Sequence, residues 1–206
     1  MFSAHRRLTE SRAGRMRQTD EHAAATSDEE LMLAFARGDE RCWEQLVGRY
    51  DQRIFNYLVR STDDRATAED LLQATFLRVV EARERYRPSA RFSTWIYTIA
   101  ANLARDEARR SARRSAARPI DCDTDASSRP GPEREAASLE LRRRVAEAMR
   151  ALPEDSREAL ILGKYEGRSY DEIAAILGCS VGAVTVRIHR AIGLLRKTLG
   201  VDDHEV

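Results

Sequence analysis

From Ser27 onward apolar residues recur at three- and four-residue steps and do not alternate, so the chain is predicted as a succession of amphipathic helices without strands. Ser27 with Glu30 fits a capping box, and Leu31, Ala34 and Phe35 then give a short helix stopped by Gly38. Asp39 can cap the next one. There Trp43, Leu46, Tyr50, Ile54, Tyr57 and Leu58 hold the period for several turns, and the aromatic rings mark the spine of a first core. After a turn at 61–64, the residues Ala68, Leu71, Leu72, Thr75, Phe76, Val79 and Val80 form the most regular stripe in the chain. Its opposite face carries Glu69, Asp70, Gln73 and Arg78, which periodicity alone reads as a solvated surface.

The stretch 92–114 has two stripes rather than one. Ser93 is the expected N-cap, and Ile96, Ile99, Ala100 and Leu103 face a core. Trp95, Thr98, Asn102, Arg105 and Arg109 run along another side, setting an aromatic ring, an amide and positive charge in line. That mixture suits single-stranded nucleic acid, because bases stack on rings, amides meet base edges and arginines follow phosphates. The same residues could equally be a core tryptophan and a solubilised helix end.

Periodicity breaks at 115–137, where Pro119, Pro130, Gly131 and Pro132 sit among Ser, Thr and Asp, and a flexible acidic linker is predicted. It resumes with Leu141, Val145, Ala148, Met149 and Leu152. Pro153 stands at the first turn of a further helix bearing Ala159, Leu160, Leu162 and Tyr165. The expected organisation is therefore all-α, with two small helical domains at 27–114 and 138–200, a disordered tail at 1–26 and a short tail at 201–206.

The stretch 169–197 has the narrowest spacing. Ser169 and Glu172 form another capping box, Ile173, Ala174, Ile176 and Leu177 a buried face, and Gly178 a left-handed stop. Ser180 can cap a second helix within a few residues, with Val184, Ile188, Ala191 and Leu195 inward and Ala183, Thr185, Arg187 and Arg190 off the apolar stripe. This is helix-turn-helix spacing. The second helix is expected in a DNA major groove, although an ordinary antiparallel helix pair has the same period.

Composition adds little until the charges are located. The net charge is only +1, but arginines crowd 105–118 and carboxylates crowd the next segment. Cys42, Cys122 and Cys179 are far apart and lack metal-ligand spacing, so neither a metal nor a cofactor is expected. No apolar run approaches the ~20 residues of a membrane span, which predicts a cytoplasmic protein without membrane insertion. No nucleophile–base pair or phosphate loop appears, and an enzyme is not expected.

Taken in order, DEELMLAFARGDERCWEQLVGRY, AEDLLQATFLRVV, RFSTWIYTIAANLARDEARR and ALPEDSREALILGKYEGRSYDEIAAILGCSVGAVTVRIHRA resemble the sigma-70 family of bacterial RNA polymerase initiation factors. The similarity is to the extracytoplasmic-function (ECF) group, which keeps only regions 2 and 4, and it covers about residues 28–200. It implies that Glu69, Asp70 and Gln73 face the β′ clamp helices of core RNA polymerase. It also implies that Trp95, Thr98, Asn102, Arg105, Arg109 and Arg110 meet the melting minus-ten region of promoter DNA and its non-template strand. Region 4 would rest on the β flap and read the minus-thirty-five duplex through Ser180, Ala183, Thr185, Arg187 and Arg190, and an anti-sigma factor is an expected partner. One departure stands out: Thr185 replaces a frequent basic residue and Val186 a frequent serine, so fewer charges face the groove. A stand-alone regulator with a C-terminal helix-turn-helix is the rival reading, and it would dimerise on a two-fold operator.

Overall fold

The computed structural model describes residues 26–88, 90–116 and 133–200, which contain eight α-helices and no strand. They are α1 (Asp28–Ala36), α2 (Glu40–Thr62), α3 (Arg65–Ala82), α4 (Phe92–Ala116), α5 (Glu133–Arg150), α6 (Glu154–Lys164), α7 (Tyr170–Leu177) and α8 (Val181–Leu199), with a 3₁₀ turn at Arg83–Arg85. The predicted 1–26 tail apart from Thr26, together with the 201–206 tail and the linker positions 117–132, lies outside the described residues. No single helix among the described residues is long and apolar enough to cross a membrane.

Local signals set most helix ends. The Ser27–Glu30 box closes in both directions, with Glu30 N donating to Ser27 Oγ at 3.2 Å and Ser27 N to Glu30 Oε2 at 2.9 Å. Asp63, at φ +57°, ends α2 in the left-handed region, and Asp64 caps α3 by accepting from the Thr67 amide at 2.9 Å.

Two expected boundaries move. Helix α4 starts at Phe92 with Ser93 inside its first turn, because a carboxylate from another helix does the capping: the Phe92 amide donates to Glu29 Oε1 at 2.6 Å. Helix α5 starts at Glu133, inside the stretch assigned to the linker. Glu133, Arg134, Glu135, Ala136 and Ala137 are good helix formers directly after Pro132, and their charge pattern resembles a linker only when read without that propensity.

Helices α1 to α4 enclose the first core around Tyr50, Ile54, Tyr57, Leu58, Phe92 and Ile96, all at most 2% exposed. Rings meet edge-on at Tyr50–Phe92 (5.2 Å) and Tyr57–Tyr97 (5.5 Å), a favoured aromatic geometry. Asp28 ties α1 to α2 by accepting from Arg49 at 2.6 Å and from the Tyr50 hydroxyl. Helices α5 to α8 make the second core, in which Ile161, Leu162, Ile173, Val184 and Ala191 are fully buried. Full burial of such side chains stabilises each half by about 1.5–3 kcal/mol apiece before the entropy of ordering is charged against it.

The halves also close on each other, α4 against α7 and α2 against α6, through one continuous apolar cluster. A polar seam runs through the contact. Glu158 of α6, 6% exposed, accepts from the Tyr57 hydroxyl at 3.0 Å and from Arg105 Nε at 3.2 and 2.9 Å. Tyr97 donates to Glu166 at 2.5 Å, the Arg168 guanidinium lies 4.4 Å from the Tyr97 ring, and Arg91 reaches Glu172 at 3.5 Å. Asp63 and Arg150 pair at the other end of the seam.

Glu158→Ala leaves Arg105 and Tyr57 in the seam without their acceptor, a loss on the order of 3 kcal/mol for a buried pair. The halves are expected to separate rather than unfold. Small-angle scattering should show a larger radius of gyration at unchanged helical circular dichroism; an unchanged radius would mean that apolar contact alone holds the halves.

Candidate nucleic-acid interface

The helix-turn-helix is built as its spacing requires. Glu172 N donates to Ser169 Oγ at 3.2 Å, Ser169 N donates to Glu172 Oε2 at 2.9 Å, and Gly178 ends α7 at φ +64°. This box holds the Glu172 carboxyl below its ordinary range, chiefly through the Ser169 amide. The two helices are bent by 100° at the turn, within the range of DNA-binding helix pairs. Ser180 then caps α8 by accepting from the Ala183 amide at 3.2 Å.

The predicted groove residues are not equally free. The Ser180 hydroxyl is engaged in the cap, and Ala183 is half-buried. Thr185 is half-buried and its hydroxyl donates back to the Val181 carbonyl at 3.0 Å. Arg187 is drawn to the base of its own domain, donating to Asp155 Oδ2 at 2.7 Å and to Cys179 Sγ at 3.4 Å. Arg190 is exposed.

On α4 the aromatic end of the stripe is a wall. Trp95, half-buried, lies 5.0 Å from Tyr86 and 5.9 Å from Phe92 between ring centres. With Ala82, Arg85, Tyr86, Arg87 and Ala90 it lines an open cavity of about 300 Å³. Arg85 and Arg87 bring two positive charges to a space bounded by rings, and sequence reading passed over both. The signal was available as the basic and aromatic run 83–92, RERYRPSARF.

Further along, the Thr98 hydroxyl bonds back to the Thr94 carbonyl at 2.8 Å, and the exposed Asn102 accepts from Arg105 Nη1 at 3.3 Å. Arg109 and Arg110 are exposed and pair within the helix with Asp106 (3.1 Å) and Glu107 (3.9 Å). Exposed pairs of this kind are worth about 0–1 kcal/mol, so both guanidinium groups can be exchanged to an outside anion. Arg105 is held more firmly by Glu158, and its Nη2 is buried without an acceptor among the described residues.

The polar face of α3 also gains definition. Glu69 pairs with Arg65 at 3.1 Å, while Asp70 and Gln73 are exposed. Leu77, one to two turns on and on the same side, is 59% exposed. Its apolar character had no place in the core stripe, and that mismatch was the sequence signal for a contact surface.

Glu158 is the electrostatic centre of the seam. Burial pushes its carboxyl above the ordinary range, opposed mainly by Arg105 and less by the Tyr57 hydroxyl, while Glu154 adds a further upward push. The Tyr57 phenol is raised well above its ordinary value, first by burial and then by Glu158.

Residues 46–114 match sigma-70 region 2 and residues 142–195 match sigma-70 region 4. The chain is 42% identical over 176 residues to the RNA polymerase sigma factor CarQ of Myxococcus xanthus, covering 85% of this chain and 99% of that protein. It is 33% identical to an ECF RNA polymerase sigma-E factor of Haemophilus influenzae, covering 82% and 93%. Among solved structures it is similar to the sigma factor RpoE in complex with the anti-sigma factor NepR from Bartonella quintana, with a TM-score of 0.63, 26% identity, and coverage of 78% of this chain and 98% of that one.

A carboxyl whose affinity for protons rises on closure binds more protons in the closed form. Closure is therefore strongest below the ordinary glutamate value of 4.5 and weakens as pH rises through the raised value. In a carbon-13 titration the Glu158 carboxyl should titrate above the exposed glutamates, and Arg105→Gln should move it further up. Titration together with the exposed glutamates would mean that water reaches the seam.

Proposed function

The chain belongs to the sigma-70 family of RNA polymerase sigma factors, in the ECF group, and from that premise we propose that it carries core polymerase to promoters by gripping DNA at two points and capturing the opened strand at one of them. Sigma factors direct the polymerase and leave the chemistry to it, so no catalytic residue is assigned.

The observation that carries this reading is the α4 stripe. It leads from a ring-walled, arginine-flanked cavity at Trp95 past the exposed Asn102 to the exchangeable Arg109 and Arg110. An unstacked non-template base can lie against Trp95 in the cavity, and Asn102 meets the next base edge with Thr98 beside it. The backbone follows the arginines. Melting then needs no separate engine: contacts available only to the open strand shift the duplex equilibrium toward it.

The other faces serve the same end. Asp70, Gln73 and Leu77, with Glu69 at the margin, dock on the β′ clamp helices, and Leu77 supplies the apolar anchor that such an interface needs at its centre. Helix α8 lies in the minus-thirty-five major groove while region 4 rests on the β flap. Each domain is a weak binder alone, and polymerase fixes their separation, which raises the effective concentration of the second once the first is engaged. The closed form cannot do this as it stands, because Arg105 is committed to Glu158. Engagement exchanges that carboxylate for a phosphate. An anti-sigma factor, the kind of partner bound to RpoE in the Bartonella quintana complex, restrains the two domains of this chain.

With core RNA polymerase on a genomic fragment pool, the chain should give promoter-specific transcripts; no stable complex and no specific start would sink the reading. Arg109→Ala with Arg110→Ala should weaken promoter binding on every sequence and flatten its salt dependence by roughly one logarithmic unit per phosphate contact. Retained affinity and slope would leave these arginines merely solvated. Leu77→Ala, tested by fluorescence anisotropy against core enzyme, should lower affinity about tenfold or more, as loss of an interface anchor does; unchanged affinity would move the docking face elsewhere.

A further inference from the structure

A recognition helix usually reads bases by hydrogen bonds, arginine to guanine or an amide to adenine. The first two turns of α8 offer little of that. Ser180 caps the helix, the Thr185 hydroxyl is turned onto the Val181 carbonyl, and Arg187 is held by Asp155. What stands outward at that point is Val186. It is 66% exposed, more than any other large apolar side chain among the described residues.

Its surroundings leave it accessible to a groove. Gly182, one turn before, is exposed, and a β-carbon there would meet nothing nearer than the Ser180 hydroxyl at 3.9 Å. Gly193, two turns on, would meet nothing within 4 Å. Val186 therefore projects beside a helix surface bare of large side chains on its N-terminal flank, with the exposed His189 and Arg190 one turn on at its other flank. A valine in a helix has essentially one side-chain rotamer, so its two methyl groups are presented in a fixed direction. Arg190 lies one turn further along the exposed surface and can hold a phosphate beside the site.

Resting on the promoter-binding reading above, we propose that Val186 is the specificity-determining residue of this helix, selecting a thymine in the upstream element by contact with its C5-methyl group. Of the four bases only thymine presents an apolar group in the major groove. The helix reads by shape and methyl burial, and Arg190 fixes its register on the backbone.

The test uses the full chain bound to core RNA polymerase and a promoter pool randomised in the upstream element. Sequences enriched by the wild type are resynthesised with deoxyuridine replacing each thymidine in turn, which removes one methyl and leaves every hydrogen-bonding group. Wild type should enrich thymine at one fixed position and lose about fourfold in open-complex formation on uracil there, the effect of one buried methyl. Val186→Ala should show less than a twofold difference between thymine and uracil. The side chain is exposed, so an unchanged melting temperature and unchanged core binding keep the comparison clean. An enriched upstream element indifferent to uracil throughout, or an undiminished thymine preference in Val186→Ala, would overturn the assignment while leaving upstream recognition standing. Failure to enrich any upstream sequence would overturn upstream recognition and the assignment together.

Discussion

The two halves of this chain meet over a buried carboxylate, Glu158. It comes from α6 and meets a phenol from α2 and a guanidinium from α4, so three helices from two domains converge on two oxygen atoms. Taking such a group out of water is costly, and the cost is offset only while both partners stay in place. The seam is therefore conditional in a way the apolar cores are not. The seam holds only in the closed arrangement.

The seam is also incompletely satisfied. Arg105 Nη2 and both Nε and Nη2 of Arg168 are buried without an acceptor among the described residues. The consequence is functional, because Arg105 belongs to the stripe assigned to the promoter strand. If the stripe meets the promoter strand as proposed, that residue has two alternative anions, a carboxylate within the chain and a phosphate outside it, and competition for it would link domain closure to DNA engagement. The recognition helix is economical for a related reason. On the proposed reading, a factor held on DNA by polymerase does not need its upstream helix to supply most of the affinity, and Val186 with Arg190 is enough where a stand-alone repressor would need more charge.

The elements were legible in the sequence wherever their cause was local. Both capping boxes, the left-handed stop at Gly178 and the Ser180 cap depend on residues three positions apart or fewer, and the helical period shows directly in the apolar spacing. What escaped depends on distance along the chain. Glu29 caps Phe92 from 63 residues away and displaces Ser93, and Glu158 answers Tyr57 across 101 residues. No periodicity records such pairs. The stripe on α4 was readable as a mixture of residue types, but its division into a held Arg105 and exchangeable Arg109 and Arg110 comes from packing. Likewise Arg187 was correctly found off the apolar stripe, and only the fold brings Asp155 beside it.

The competition over Arg105 is tested most directly by the distance between the two halves. Dyes placed at the exposed Glu44 and Lys197, with the native cysteines replaced, report it by single-molecule energy transfer. The free chain should give one short-distance population, and core polymerase with promoter DNA should convert it to a longer one. In Glu158→Ala, which leaves Tyr57 and Arg105 without their acceptor, the longer population should already appear in the free chain. An unchanged short distance in the promoter-bound complex would contradict the account, since Arg105 would then serve DNA without leaving Glu158.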